Sequence, residues 1–199
     1  GSSRSRYSLC ASSSGPAVLA AALLSFYRDP PRRVPSDPRA LLAPADGRVV
    51  EVEAAAPDPD GRPCLRILIF LSVANVHVNR APCAGQVTAV EYRPGQFLNA
   101  LRAESTAANE SNRLTLTPAA PLPGPVHVRQ IAGVLARRIV CRAVPGDALS
   151  AGQRYGMIKL GSSTELVAPA DARWQVAVRV GQCVRAGTTV LARWTETGA

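Results

Sequence analysis

The chain is poor in the residues on which metal and acid–base catalysis usually depend. Its 199 residues include two histidines, His77 and His127, and one lysine, Lys159. A metal site with several histidines and a separate histidine base is therefore excluded, and pyridoxal-phosphate chemistry would have to use Lys159. The five cysteines form no CxxC pair, so they indicate neither a zinc site nor a disulfide framework. Small core thiols in a reducing compartment are their simplest interpretation.

Aromatic residues and acidic residues are also scarce. Aromatics make up 5% of the chain, which argues against modules that stack single-stranded nucleic acid, and we expect no nucleic-acid partner. The net charge of +9 suits an anionic partner such as acidic lipid, or it reflects a preference for arginine and alanine codons. With 47% hydrophobic and 19% charged residues, the composition is typical of a globular protein.

The N-terminal part consists of two segments of unusual composition. Residues 1–27 contain no Asp or Glu and include one apolar run, Ala17–Tyr27, shorter than the roughly 20 residues that span a bilayer. We expect a membrane-associating segment: the end of a truncated anchor, an interfacial helix or a helix on the core. A transit peptide has a similar composition. Residues 28–41 form a connector whose prolines exclude regular structure.

Residues 42–199 are predicted to form a mostly-β domain. Short β-branched runs alternate with Gly, Pro and Asp, which predicts strands at 47–53, 65–71, 85–92, 126–131, 137–142 and 176–180. Helical patterns are confined to the N-terminal segment and to 97–107. The spacing Gly-x-x-apolar-x-Ala-Gly occurs at 146–152 and again at 181–187, which predicts two equivalent turns. Such a duplicated hairpin is typical of barrel-sandwich, lipoyl-like β architecture. No lysine lies at a hairpin tip, so a swinging-arm carrier is not expected.

Three polar clusters could take part in chemistry, although each also has a structural interpretation. Asp46 precedes Gly47 in what could be an ordinary turn. His77 follows an apolar strand and shares a strand face with Asn79, but a lone histidine in a strand is usually structural. Arg137 and Arg138 follow a glycine-containing apolar stretch and could form a solvated edge.

The fourth cluster is the strand-like run Met157–Glu165, which ends abruptly in Gly161-Ser162-Ser163-Thr164. It lacks the Gly-x-Ser-x-Gly pattern of a nucleophile elbow. A serine hydroxyl can attack the preceding carbonyl when a base removes its proton, and a glycine there removes an obstructing Cβ. The product is an internal ester, which β-elimination then breaks. Glycine favours Ser162 as the nucleophile, with Ser163 as the alternative.

Together these motifs resemble one family, the short (archaeal-type) proenzyme form of phosphatidylserine decarboxylase. The resemblance extends over roughly residues 24–192, with the motifs in the family's order. They are Phe26–Pro30, Pro44–Gly47, Ile69–Ser72, Val76–Pro82, Asn109-Glu110, Gln130–Gly133, Ala136–Ile139 and Gly156–Ser162.

The resemblance implies a proenzyme that cleaves itself between Gly161 and Ser162, giving a β chain that ends at 161 and an α chain of 162–199. Ser162 would become a pyruvoyl group, the covalent cofactor. The family's Ser–His–Asp triad corresponds to Ser162, His77 as general base, and Asp46 holding the imidazole. The pyruvoyl carbonyl would form an imine with phosphatidylserine and accept electrons as CO₂ leaves, giving phosphatidylethanolamine. His77 is the expected proton donor.

Other functions stay open at this point. The chain could decarboxylate another amino-acid-like substrate, or be a non-enzymatic lipoyl-like domain that binds anionic surfaces. Arg80, Arg137 and Arg138 are candidates for binding the substrate carboxylate, on charge alone. The expected partners are phosphatidylserine in a membrane and the two chains of one precursor, and a homo-oligomer is left open. The expected location is at a membrane.

Overall fold

A computed structural model of the chain describes residues 14–57, 61–98, 103–133, 138–158, 162–171 and 173–195. These residues form two helices and fourteen strands. In chain order they are α1 (Ser14–Phe26), β1 (Ala40–Leu42), β2 (Gly47–Pro57), β3 (Pro63–Leu71), β4 (Val78–Arg80), β5 (Gly85–Arg93), α2 (Ala103–Ala108), β6 (Ser111–Pro118), β7 (Val126–Ile131), β8 (Ile139–Cys141), β9 (Ala148–Leu149), β10 (Arg154–Ile158), β11 (Ser162–Pro169), β12 (Trp174–Val176), β13 (Cys183–Val184) and β14 (Val190–Trp194).

Most strands belong to one curled antiparallel sheet of eight, in the order β13-β2-β3-β11-β7-β6-β5-β9. Two three-stranded sheets, β1-β14-β12 and β4-β10-β8, complete the mostly-β, barrel-sandwich architecture that the sequence predicts. Strand alternation directs one side chain in two into the core, as Ile67, Ile69 and Leu71 of β3 illustrate; all three have no exposed surface. β11 lies in the middle of the large sheet, between β3 and β7.

The glycine repeat forms two equivalent turns, as predicted. All four terminal glycines have positive φ, which a residue with a Cβ rarely adopts: Gly146 (99°), Gly152 (72°), Gly181 (88°) and Gly187 (67°). In each copy the first glycine amide donates to a valine carbonyl, Val87 or Val49, and the second to an alanine carbonyl, Ala81 or Ala43. These acceptors begin and end a second repeat, Ala-Pro-x-x-Gly-x-Val, at 43–49 and 81–87. The fold therefore contains two related units, here called its halves: 43–49 with 181–187, and 81–87 with 146–152.

Two expectations about strands need correction. The predicted strand at 176–180 contributes only Val176 to β12, because the chain turns at Arg179–Gln182, where the Gln182 amide donates to the Arg179 carbonyl. The Ser-rich segment that looked like the end of a strand is instead the start of one, since β11 begins at Ser162. The predicted helix at 97–107 corresponds in part to α2, and residues 99–102 lie outside the described part of the chain.

None of the helices in the described ranges is long and apolar enough to cross a bilayer. The side chains at the end of α1 differ in their exposure. Phe26 is buried, whereas Leu24 is 75% exposed. Residues 28–39 of the predicted connector have no regular structure, whereas its last two residues, Ala40 and Leu41, begin β1, because the prolines end at Pro38.

Candidate active site

Ser162 is the first residue of β11, at the centre of the large sheet. It pairs with Leu71 of β3, its side chain is completely buried, and its Oγ has no hydrogen-bond partner among the described residues. A buried hydroxyl without a partner costs free energy, so such a group in a native fold calls for a functional explanation. Gly161, the other half of the predicted cleavage site, lies outside the described residues.

The two candidate serines point to opposite faces of β11, because side chains alternate along a strand. Thr164, two positions after Ser162, contacts Asn79, the middle residue of β4. Glu165, two positions after Ser163, pairs with Arg129 at 3.3 Å on the other face. Ser162 therefore shares the face that is directed towards β4 and the segment containing His77, which favours it over Ser163 as the nucleophile.

His77 lies immediately before β4 and is completely buried. Its Nδ1 is 2.9 Å from the Asn75 carbonyl, which can only accept, so Nδ1 carries the proton. The Asn75 side chain holds this turn by accepting hydrogen bonds from the Ser72 amide and hydroxyl. The unprotonated Nε2 is buried and has no partner among the described residues, which is the state required of a general base.

Burial lowers the pKa of His77 below its model-compound value of 6.5. The Asn75 carbonyl raises the pKa, the positive charge of Arg28 lowers it, and the negative charge of Asp46 raises it, in decreasing order of effect. The imidazole is therefore neutral at pH 7. The Phe26 ring at the end of α1 packs against the imidazole in a tilted arrangement, with ring centroids 4.4 Å apart and an interplanar angle of 38°.

Three backbone connections bring His77 to the start of β11. The His77 carbonyl accepts from the amide of Ile158, the last residue of β10. Only the short segment 159–161 separates Ile158 from Ser162. The neighbouring strand β3 ends at Leu71, opposite Ser162, and a short turn then leads back to His77. The described residues thus place the buried, unpartnered His77 Nε2 and Ser162 Oγ in adjoining segments. Ser163 Oγ is also buried and unpartnered, but it lies on the opposite face of β11.

Asp46 is buried in the turn before β2, but it makes no hydrogen bond to His77, and the structure describes both residues. Its Oδ2 pairs with Arg32 at 2.8 Å and its Oδ1 accepts from the Ala186 amide at 2.8 Å. Its effect on His77 is through its charge. The equivalent position in the second half of the fold is Ala84, so the turn itself does not require an acidic residue.

The connector after α1 crosses this region and is fixed to it by charged side chains. Arg28 donates to the Ala74 carbonyl at 2.6 Å, next to the turn that precedes His77. Asp29 pairs with Arg80 at 2.7 Å, and Arg32 is the partner of Asp46. The first part of the Pro-rich segment, residues 28–32, is therefore attached to the candidate active site.

The three arginines predicted to bind a carboxylate differ in their surroundings. Arg80 is buried, and its guanidinium also donates to the Gly152 carbonyl at 3.1 Å. Arg138 is exposed just before β8 and has no ion pair with another described residue. Arg137 lies outside the described residues.

A chain of buried amides that was not predicted from the sequence lies behind the site. Asn79, Gln130 and Asn112 are at most 4% exposed and are joined by hydrogen bonds of 2.9 and 3.0 Å. The motifs contain Asn79 and Gln130 but not Asn112, and alternation already placed Asn79 on the face of His77. No local pattern could have revealed that they contact one another, because they lie on three separate strands.

Comparison with known proteins gives a consistent family. The sequence profile described as phosphatidylserine decarboxylase matches residues 19–192. The chain is 49% identical to a phosphatidylserine decarboxylase proenzyme of Rhodopirellula baltica over 184 residues, which are 91% of this chain and 75% of that one. It is 45% identical to the proenzyme of Cupriavidus pinatubonensis, over 87% of this chain and 79% of the relative. For the proenzyme of Gluconacetobacter diazotrophicus the identity is 48%, over 85% and 76%.

Proposed function

This chain belongs to the phosphatidylserine decarboxylase family and is a decarboxylase, and on that premise we propose that it matures by cleaving itself between Gly161 and Ser162 and then converts phosphatidylserine to phosphatidylethanolamine and CO₂. The observation that carries the proposal is the pair of buried atoms without partners, Ser162 Oγ and His77 Nε2. A general base must have a lone pair that no other group occupies, and a nucleophile must have a hydroxyl that no other group holds.

Self-cleavage begins when His77 Nε2 takes the proton of the Ser162 hydroxyl. Oγ then attacks the Gly161 carbonyl carbon, the peptide C–N bond breaks, and the Ser162 nitrogen becomes an amine. Loss of the Cα proton and of the Gly161 carboxylate leaves a dehydroalanine. After tautomerisation, water releases ammonia and leaves a pyruvoyl group at the start of the 162–199 chain. Asp46 is the third proposed member of this triad, and its negative charge favours the protonated imidazole.

The buried, central position of Ser162 suits a pyruvoyl group, which supplies a carbonyl electron sink for decarboxylation. Around it, His77 is the proposed proton donor to the product carbon, since it lies in the adjoining segment and becomes acidic once protonated. Arg80, Arg137 and Arg138 remain the proposed partners of the substrate carboxylate. The exposure of Arg138 suits an incoming substrate, whereas Arg80 would have to exchange its bond to Asp29.

We further propose that the protein acts at a membrane surface, with α1 as the attached element. Leu24 and Tyr27 have exposed side chains, and Arg28 and Arg33 follow them in the sequence, a combination suited to an interface with anionic headgroups. Phe26, one residue before Tyr27, packs against His77. Contact of α1 with lipid would therefore occur close to the proposed catalytic base.

Mass spectrometry of the purified protein tests self-cleavage. We expect two fragments that divide at 161–162 in place of the 20.9 kDa chain, with a carbonyl on the C-terminal fragment that reacts with hydroxylamine. Ser162→Ala is expected to remain intact and inactive, whereas the matched variant Ser163→Ala is expected to cleave. An intact wild-type chain, or cleavage of Ser162→Ala, would contradict the proposal. Release of CO₂ from phosphatidylserine vesicles but not from free serine tests the substrate.

A further inference from the structure

Asn79 is a completely buried amide at the centre of three segments. Its Nδ2 donates to Thr164 Oγ1 at 3.2 Å and lies 3.4 Å from the Pro44 carbonyl. Thr164 lies two positions after Ser162, and Pro44 two positions before Asp46. Asn79 itself lies two positions after His77. One side chain therefore contacts the segments that hold all three proposed triad residues.

The orientation of the Asn79 amide is fixed by its neighbours. Gln130 Nε2 donates to the Asn79 Oδ1 at 2.9 Å, and Gln130 Oε1 accepts from Asn112 Nδ2 at 3.0 Å. The Val140 carbonyl, 3.4 Å from the same Gln130 nitrogen, can only accept, so this end of Gln130 must be the donor. Asn79 must then present its oxygen to Gln130 and its Nδ2 to Thr164 and Pro44.

We propose that Asn79 is a positioning residue that sets the relative placement of the Ser162, His77 and Asp46 segments for self-cleavage. The buried amides give it one orientation, and the Thr164 hydroxyl is its direct link to the strand of the nucleophile. An attack over a few ångströms depends steeply on such placement, and a shift of about 1 Å can lower a rate roughly 100-fold. This inference rests on the proposed self-cleavage and adds the group that aligns it.

The decisive test compares Thr164→Val with Thr164→Ser in precursor made by cell-free synthesis, with cleavage followed on denaturing gels. Valine keeps the shape of threonine but removes the acceptor of the Asn79 bond. Serine keeps the hydroxyl but loses a buried methyl. We expect Thr164→Val to slow cleavage about tenfold or more and Thr164→Ser to stay within roughly threefold of wild type. A role of Thr164 in packing alone predicts the opposite order, because serine creates the cavity and valine does not.

Two further variants keep the test decisive. If Thr164→Val does not fold, Thr164→Ala replaces it, since alanine and serine differ only in the hydroxyl. Val87→Ala, a core truncation on β5, is the control for lost stability and is expected to cleave at the wild-type rate where folded. Rapid cleavage of folded Thr164→Val or Thr164→Ala would overturn the positioning role. If wild type itself stays intact, the proposed function fails, and this inference fails with it.

Discussion

At the scale of single residues, the protonation state of His77 determines when the proposed chemistry can occur. Burial lowers its pKa below 6.5, so the neutral, basic form predominates above that pH and is lost as pH falls through the lowered value. We expect the self-cleavage rate to be constant near neutrality and to fall with an inflection below pH 6.5. A series of cleavage time courses in buffers of decreasing pH measures this profile.

The other histidine provides the control for this profile. His127 pairs with Thr115 on β6 and β7, away from Ser162, so His127→Gln is expected to leave the inflection unchanged. His77→Gln is expected to abolish cleavage. An inflection that follows His127, or one above pH 6.5, would be inconsistent with His77 as the base.

Asp46 acts on His77 through its negative charge, so replacing it is expected to lower the pKa of His77. In Asp46→Asn the negative charge that raises the His77 pKa is lost, and Arg32 remains nearby. We expect the inflection of the rate profile to move to lower pH and the rate at pH 7 to fall roughly 100-fold, because the imidazolium is less stabilised. Asp37→Asn removes the same charge from an exposed pair with Arg193 and should change neither quantity. Equal effects of the two variants would exclude a specific role for Asp46.

The sequence made Ser162, His77 and Asp46 candidates from their local chemistry, and the family resemblance implied their roles as a triad. Neither predicted that the Asn75 carbonyl, rather than Asp46, would accept from His77 Nδ1. The reason is physical. The Asn75 contact depends on a tight turn fixed by one side chain, and the Asp46 contacts depend on elements distant in sequence.

At the scale of elements, β-branched runs predicted most strands but not β11, because its start is polar. A strand that begins Ser-Ser-Thr-Glu has little apolar pattern, yet it lies at the centre of the large sheet. β11 is buried because it pairs with β3 on one side and β7 on the other, although its own sequence has little apolar pattern. The local sequence pattern therefore does not predict the strand that carries the proposed nucleophile.

Close packing of β8 against β10 makes Gly156 a sensitive position in the small sheet. A Cβ there would lie 2.4 Å from the Val140 carbonyl oxygen and 3.0 Å from Gln130 Nε2, so β8 or the buried amides would have to move. We expect Gly156→Ala to lower the free energy of unfolding by about 1–3 kcal/mol and to slow cleavage. Thermal unfolding and gel time courses measure the two effects.

The matched control for that substitution is Gly15→Ala. Gly15 lies in α1, where a Cβ would meet nothing within 4 Å, so alanine is expected to be neutral or slightly stabilising. A Gly156→Ala protein as stable and as rapidly cleaved as Gly15→Ala would show that β8 and β10 are less closely packed than the distances indicate.

At the scale of the whole molecule, the two related halves explain how one site arises in a duplicated fold. Both halves contain the Ala-Pro-x-x-Gly-x-Val turn, but Asp46 is replaced by Ala84 in the second. The glycine spacing predicts the repeat from the sequence alone. Which segments the two turns contact is evident only from the long-range hydrogen bonds from Gly152 to Ala81 and from Gly187 to Ala43. Composition could not indicate that the connector would fold back onto the site, because prolines exclude regular structure without specifying contacts.

The whole-molecule charge and the exposed end of α1 together predict how the protein meets a membrane. With a net charge of +9, binding to phosphatidylserine vesicles should weaken as salt rises, since screening shortens the range of the attraction. An apolar contribution should remain at high salt. Leu24, 75% exposed on α1, is its proposed source, and Leu24→Asp should weaken vesicle binding at least about tenfold through lost burial of the side chain.

Val180→Asp is the matched control, because Val180 is 61% exposed in a turn outside α1 and the substitution changes net charge by the same amount. Sedimentation with vesicles at low and high salt separates the two contributions. If charge alone drives binding, the two variants will weaken equally and both effects will disappear at high salt. A loss specific to Leu24→Asp that persists at high salt assigns the apolar contact to α1. Since Phe26 packs against His77 close to this end of the helix, lipid contact would then lie beside the proposed catalytic base.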